Sequence, residues 1–121
     1  CSCFLQLFYS LFHERQRLQC NSIIFVRVEQ IAPFPYDLIA SAILKYPKAA
    51  DLVWCQEEPK NMGAWSYIKP RIDTLVDEYG IAGRNNIRYI GRMSSASTAT
   101  GSFKQHAMEQ KDIVEEVFRE E

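Results

Sequence analysis

The chain has 121 residues, enough for one hydrophobic core and too few for two domains. Hydrophobic residues make up 47% and charged residues 24%, a globular balance that excludes a disordered polyelectrolyte. With 14 basic against 15 acidic side chains and a net charge of −1, the chain lacks the basic footprint that nucleic acid or anionic lipid requires, so neither is an expected partner.

The apolar opening CSCFLQLFYSLF meets His13, Glu14 and Arg15 at once, and no basic region precedes it. It therefore reads as neither a signal peptide nor a membrane span. Phe4, Leu5, Leu7, Phe8, Leu11, Phe12 and Leu18 recur at helical spacing, which predicts a first helix ending near Cys20. Cys1, Cys3, Cys20 and Cys55 show no C-x-x-C pair, so neither a zinc site nor a disulfide framework is expected and a reducing compartment fits. Because the chain does not begin with methionine, it is expected to be a piece of a longer one, organised as a single domain over 1–121.

IIFVRV, residues 23–28, is a β-branched run suited to a buried strand. Pro33 and Pro35 then introduce a helix whose expected inward stripe is Leu38, Ile39, Ala42, Ile43 and Tyr46, stopped by Pro47. DLVWCQ at 51–56 predicts a second strand. Trp65, Ile68, Ile72, Leu75, Val76 and Tyr79 predict a helix with Pro70 in its first turn or kinking it. IRYIG at 87–91 predicts a third strand, and SSASTATGS leads to a last helix with Phe103, Ala107, Gln110, Ile113, Val114 and Val117 inward. Strands alternating with helices predict right-handed crossovers and an α/β fold, a mainly parallel sheet covered on both faces.

In such a sheet the carboxyl ends of the strands share one edge, where ligands bind. Three polar clusters are expected there: Glu29 with Gln30; Gln56, Glu57 and Glu58; and Arg92 with Ser95, Ser97, Thr98 and Thr100. Neighbouring Glu57 and Glu58 point to opposite sides of an extended segment, which argues against a paired acid and base. No histidine or third carboxylate stands beside them in sequence, which argues against a metal site. Two readings stay open for the pair: a plain polar turn, or one glutamate capping backbone amides of the following turn while the other meets a neighbouring domain. SASTATG is hydroxyl-rich but lacks the lysine and glycine spacing of a phosphate loop. His13 and His106 stand alone on helices, without a nucleophile at catalytic spacing. The residues by themselves present no catalytic constellation.

RVEQIAPFPYDLI, LVWCQEEPKNMGAWSYIKPR, and YIGR followed by SASTATG, His106 and Glu109-Gln110 together resemble the carboxyl-terminal domain of the thiamine-dependent first component of 2-oxoglutarate dehydrogenase. The resemblance covers nearly the whole chain from about residue 9. It implies a transketolase-like carboxyl-terminal fold, a three-layer α/β sandwich, in an enzyme of the tricarboxylic acid cycle. That enzyme decarboxylates 2-oxoglutarate and passes the succinyl unit to lipoamide. Thiamine diphosphate and magnesium are bound by domains this chain does not hold. Implied partners are those thiamine-binding domains, a second copy in a homodimer, and the lipoamide succinyltransferase component. The implied compartment is the mitochondrial matrix in a eukaryote and the cytoplasm in a bacterium.

Three departures from the family pattern stand out. The first strand and its Cys-Ser-Gly-Lys-like turn are replaced by Cys1-Ser2 running into Cys3-Phe4, which is expected to leave a sheet edge and an apolar patch uncovered. Met93-Ser94 follows Arg92 where the family commonly has a residue and then proline. Residues 80–86 look like a modest surface insertion.

The resemblance, with its nucleotide and acyl-coenzyme A effectors, makes an anion or effector pocket plausible at the strand ends. Its expected residues are Arg92, Ser95, Ser97 and Gln56, with Arg15 and Arg17 from the first helix; Arg92 pairing with Glu57 or Glu58 is the competing expectation. No catalytic residue and no metal ligand is assigned within the chain. Two alternatives accompany this reading: a free-standing α/β module for a small anion or protein partner, and the equivalent domain of a 2-oxoadipate dehydrogenase.

Overall fold

The computed structural model describes residues 2–49, 51–81, 87–96 and 103–119, with side chains from residue 7 onward apart from Phe103. Its elements are α1 (Ser2–Arg17), α2 (Tyr36–Leu44), β1 (Val53–Gln56), α3 (Trp65–Glu78), β2 (Arg88–Gly91) and α4 (Phe103–Arg119). The helices follow the apolar period, and their ends follow local chemistry. At the end of α1, Gln19 turns left-handed at φ 51, so the Cys20 amide reaches back to the Arg15 carbonyl at 3.1 Å. Gly80, at φ 59, ends α3 the same way, with the Ile81 amide on the Val76 carbonyl at 3.2 Å. Pro70 lies inside α3, past its first turn. Proline supplies no amide to the helix at that point.

β1 and β2 pair in parallel, with Val53 opposite Arg88 and Gln56 opposite Gly91. The fold is thus α/β around a two-strand parallel sheet. Alternation along each strand feeds two cores. Trp54 and Tyr89 join the core of α2 and α3, where Ile68 and Leu75 are fully buried. Cys55 and Ile90 join the core of α1 and α4, where Leu7, Leu11 and Ile113 are buried.

The structure corrects several expectations. Residues 23–28 belong to no strand, because no described strand shares a ladder with them. They still contribute side chains as a strand does, Phe25 to one core and Val28 to the other. Leu38 is 74% exposed, so the inward stripe of α2 runs through Ile39, Ala40 and Ile43 instead. Phe12, Leu18 and Tyr46 are also exposed, as is Ala107, whose place on the inner side of α4 is taken by His106, Glu109 and Gln110. Phe4, Leu5 and Phe103 lie outside the described side chains, and most of the 80–86 segment lies outside the described residues.

At the strand ends the two chains touch closely. A Cβ on Gly91 would lie 2.6 Å from the Gln56 carbonyl and 2.5 Å from the Tyr89 hydroxyl. Neither neighbour yields cheaply, since one is main chain in the ladder and the other is half-buried. Gly91→Ala is therefore expected to destabilise the protein by about 1–3 kcal/mol, the usual cost of overpacking. Urea unfolding of the variant checks this, and an unchanged midpoint would show that the strands separate more easily than drawn.

Candidate functional site

The carboxyl ends of β1 and β2 carry two loops that lock onto each other. Gln56 is the hub. Its side chain is 1% exposed. The carboxamide oxygen accepts from Trp54 Nε1 at 2.8 Å, while Nε2 donates to the carbonyls of Glu58 (3.2 Å), Pro59 (3.1 Å) and Met62 (2.9 Å). One side chain thereby dictates the path of Glu57 to Met62. Gly63 completes the turn at φ 64, and a Cβ there would meet Gln56 Nε2 and Glu58 Oε2 at 3.2 Å each.

Three further contacts tie this turn to the loop after β2. The Lys60 amide donates to the Arg92 carbonyl at 3.0 Å. The Tyr89 hydroxyl lies 2.8 Å from the Arg92 carbonyl and 3.1 Å from that of Glu58. Asn61 grips Ser95 on both sides, Nδ2 donating to its carbonyl at 2.8 Å and Oδ1 accepting from its amide at 3.0 Å. The Tyr89 ring lies between Trp65, 5.3 Å away, and the Lys60 ammonium at 5.6 Å. Burial pushes the Tyr89 hydroxyl up to about 12, so at neutral pH it serves as a neutral donor.

Charges gather around this frame. Arg92 Nε lies 2.5 Å from Glu109 Oε2 of α4, an ion pair in which that oxygen lacks hydrogen-bond alignment and both side chains are largely shielded. Glu57 turns toward the α1 and α4 side, facing the Leu7 amide and His106, and is 9% exposed. Its Oε1 is buried without a hydrogen bond, and so is Oε2 of Glu58. Burial raises the Glu57 carboxyl above its ordinary value of 4.5; His106 and the Leu7 amide oppose that shift, and Glu58 adds to it. Burial also pushes the Cys55 thiol up to about 12, with Glu116 and Glu57 adding to the shift, so it is no nucleophile at neutral pH.

Of the residues expected to form an anion pocket, only Arg92 and Ser95 stand together here. Arg92 pairs with Glu109, not with Glu57 or Glu58. Gln56 is a correction: both ends of its carboxamide are engaged inside the turn, and a ligand would have to break the turn to reach it. Arg15 donates to the Cys20 carbonyl at 3.1 Å and lies over the Phe25 ring, and Arg17 pairs with exposed Glu14. Both follow Leu7, the α1 residue facing Glu57, by eight or more positions, roughly 12–15 Å along a helix. Ser97, Thr98 and Thr100 lie outside the described residues. In the first polar cluster Glu29 pairs with Arg27, and Gln30 donates to the Ala32 carbonyl. The main-chain amide that Glu57 meets is that of Leu7 in α1, not one in the turn that follows it. Among the described residues no group of three or more His, Cys, Asp or Glu side chains is placed to hold a metal. No described helix is long and apolar enough to cross a membrane.

Asn61, Gly63, Tyr89 and Glu109 complete the site, and sequence reasoning gave them no role. Asparagine and glycine spaced by one residue after Pro59 were the available turn signal for the first two. Nothing local marks Tyr89 or Glu109.

Comparison with known proteins follows the whole length of this arrangement. The model of a family described as 2-oxoglutarate dehydrogenase C-terminal matches residues 1–118. The chain is 43% identical over 117 residues to the mitochondrial 2-oxoglutarate dehydrogenase of Caenorhabditis briggsae, covering 96% of this chain and 11% of that protein. It is 41% identical over 114 residues to the 2-oxoglutarate dehydrogenase E1 component of Rickettsia typhi, 94% of this chain and 12% of that one. Against the mitochondrial enzyme of Saccharomyces cerevisiae it is 35% identical over 115 residues, 95% and 11% respectively.

Two substitutions probe the site. Gln56→Leu leaves the Trp54 indole N–H and three carbonyls without their partner, so it is expected to cost at least about 2 kcal/mol, measured by urea unfolding. Glu57→Gln tests the raised carboxyl. A group whose folded pKa lies above its unfolded value holds its proton longer when folded, so its charge costs stability at neutral pH, and the cost disappears as pH falls through the raised value toward 4.5. The variant is expected to be more stable than the parent at pH 7 and to lose that advantage near pH 4. Denaturation at the two pH values decides, and an advantage at pH 4 alone reverses the reading.

Proposed function

Since the chain belongs to the 2-oxoglutarate dehydrogenase C-terminal family, we propose that it works as the carboxyl-terminal accessory domain of a thiamine-dependent 2-oxoglutarate dehydrogenase first component. The observation that carries this reading is how the carboxyl edge uses its polar side chains. They hold loops to one another, through Gln56, Asn61 and the Arg92–Glu109 pair, and present no acid, base and nucleophile converging on open space among the described residues. The chain spans about 11% of the length of the relatives it matches, which leaves room for the chemistry elsewhere.

In this reading thiamine diphosphate and magnesium sit on the other domains of the parent enzyme, where 2-oxoglutarate is decarboxylated and the succinyl unit passes to lipoamide. The accessory domain braces the assembly, a homodimer that meets the succinyltransferase component. Glu57 and Glu58, each with a buried oxygen awaiting a donor, are its contacts toward neighbouring polypeptide. The finer architecture we propose is the three-layer sandwich of transketolase-like carboxyl-terminal domains, supported by the separate α1/α4 and α2/α3 cores on either side of the sheet. A mitochondrial matrix location is supported by the names of the eukaryotic relatives, and the Rickettsia relatives extend the family to bacteria. An effector role for Arg92 carries a condition, because an anion reaches the guanidinium only by displacing Glu109.

A chimera tests the reading. The matched region of the Caenorhabditis briggsae enzyme is replaced by this chain, and the purified product is assayed with 2-oxoglutarate, thiamine diphosphate, magnesium and an electron acceptor, beside the 121-residue chain alone. The chimera is expected to assemble and turn over, and the chain alone to show none. Turnover by the isolated chain, or a chimera that folds but does not assemble, overturns the proposal.

A further inference from the structure

An open cleft of about 1070 Å³ runs between α1 and α4 on the side turned away from their core. Its floor is apolar. Tyr9 and Phe12 of α1, 60% and 41% exposed, line it together with Ala107 and Val114 of α4. α1 thus carries apolar side chains on two sides, Leu7 and Leu11 inward and Tyr9 and Phe12 outward, and a helix apolar on both sides is one that is covered on both. On the rim each helix holds one acid and one base: Arg17 pairs with Glu14 at 2.5 Å on α1, and Lys111 with Glu115 at 3.6 Å on α4. These charges balance, so the cleft has no excess of either sign with which to recruit a strongly charged partner.

The register of the two helices decides what fits. Gln110 Nε2 donates to Ser10 Oγ at 3.4 Å, and further along Arg15 and Phe118 both reach the Phe25 ring, at 6.0 and 6.3 Å. α1 and α4 therefore run parallel, with Ser10 level with Gln110 and, three residues on in each helix, His13 level with Ile113. Tyr9 and Arg17 stand four residues to either side of His13, about 6 Å along the axis, and Lys111 and Glu115 stand two to either side of Ile113, about 3 Å. The two helices share one centre.

A two-fold axis lying across the cleft at that centre makes the face complementary to itself. It lays a second copy antiparallel on the first, α1 against α1 and α4 against α4, and exchanges residues that stand equally far from the centre. Lys111 then meets Glu115 of the second copy, and Arg17 meets the Tyr9 ring of the second copy, each contact made twice. His13 stands on the axis opposite its own counterpart. A slip of one helical turn between α1 and α4 would remove the coincidence, since one axis could no longer serve both sets of pairs.

We propose that the outer face of α1 and α4 docks a second copy of this chain, through an isologous contact centred on His13 and Ile113. A foreign helix could fill the apolar floor, but only a second copy is bound to bring each rim charge its complement. The proposal rests on the reading above only in carrying this contact into a homodimeric parent enzyme, and it supplies the face and the register that the reading leaves open.

The test uses the 121-residue chain with Cys1 and Cys3 replaced by serine. His13→Cys puts one thiol of each copy on the axis, so mild oxidation is expected to link the chain into a covalent dimer, whereas Ser66→Cys, exposed on α3, links none. Sedimentation equilibrium then compares charge variants. K111E alone and E115K alone are each expected to weaken self-association by about tenfold or more, because like charges meet twice. The double variant K111E/E115K regains the parent's association, and an equimolar mixture of the two single variants forms a heterodimer. That last result separates the contact from the pairing of Lys111 with Glu115 inside α4, which mixing does not restore. A monomeric chain, a dimer indifferent to K111E, or single variants that stay apart when mixed overturns the proposal. So does a His13→Cys link that forms in the chain alone but not in the assembled chimera described above, which would make neighbouring polypeptide the occupant. None of these readouts involves turnover, so failure here is distinct from failure of the accessory-domain reading.

Discussion

The strand ends depend on one buried carboxamide. A glutamine closed off from water must find partners for its oxygen and both its protons, and Gln56 finds them in the Trp54 indole and three carbonyls of the turn it begins. That requirement bends the chain back beneath β1 and forces Gly63 into the left-handed region. It also brings Lys60 and Asn61 within reach of the loop after β2. The edge where a parallel α/β sheet usually receives ligands is thus occupied by its own loops, with Tyr89 as a neutral pin between them.

Helices were legible because their signal is local. The 3.6-residue period marked all four, and Pro47 marked the end of one. Leu38 and Ala107 broke the pattern for a reason the period does not carry, since it fixes which residues share a face but not which edge of that face meets the sheet. Residues 23–28 failed as a strand more instructively. β-branched composition makes a segment fit for a ladder, but a ladder needs a second chain, and across from this one lies a groove.

The candidate site was legible only in outline. Strand order placed Gln56, Glu57, Glu58 and Arg92 at one edge, and they are there. Their partners were not readable. Arg92 pairs with Glu109 on the last helix, and Asn61 holds Ser95 from 34 residues away. Glutamine in particular hides its role, because the same side chain that can address a ligand can instead satisfy a turn, and only burial distinguishes the two.

Among the described residues, Glu57, Glu58 and Glu109 each carry a buried carboxylate oxygen without a hydrogen bond. Cys55 lines the groove, and two residues on, Glu57 turns its carboxyl toward the Leu7 amide and the α1/α4 core. Burial, with Glu58 adding to it, keeps the Glu57 carboxyl reluctant to ionise, while His106 and the Leu7 amide favour its charged form. The electrostatics of this edge are thus set by the helices packed over it as much as by the strands themselves.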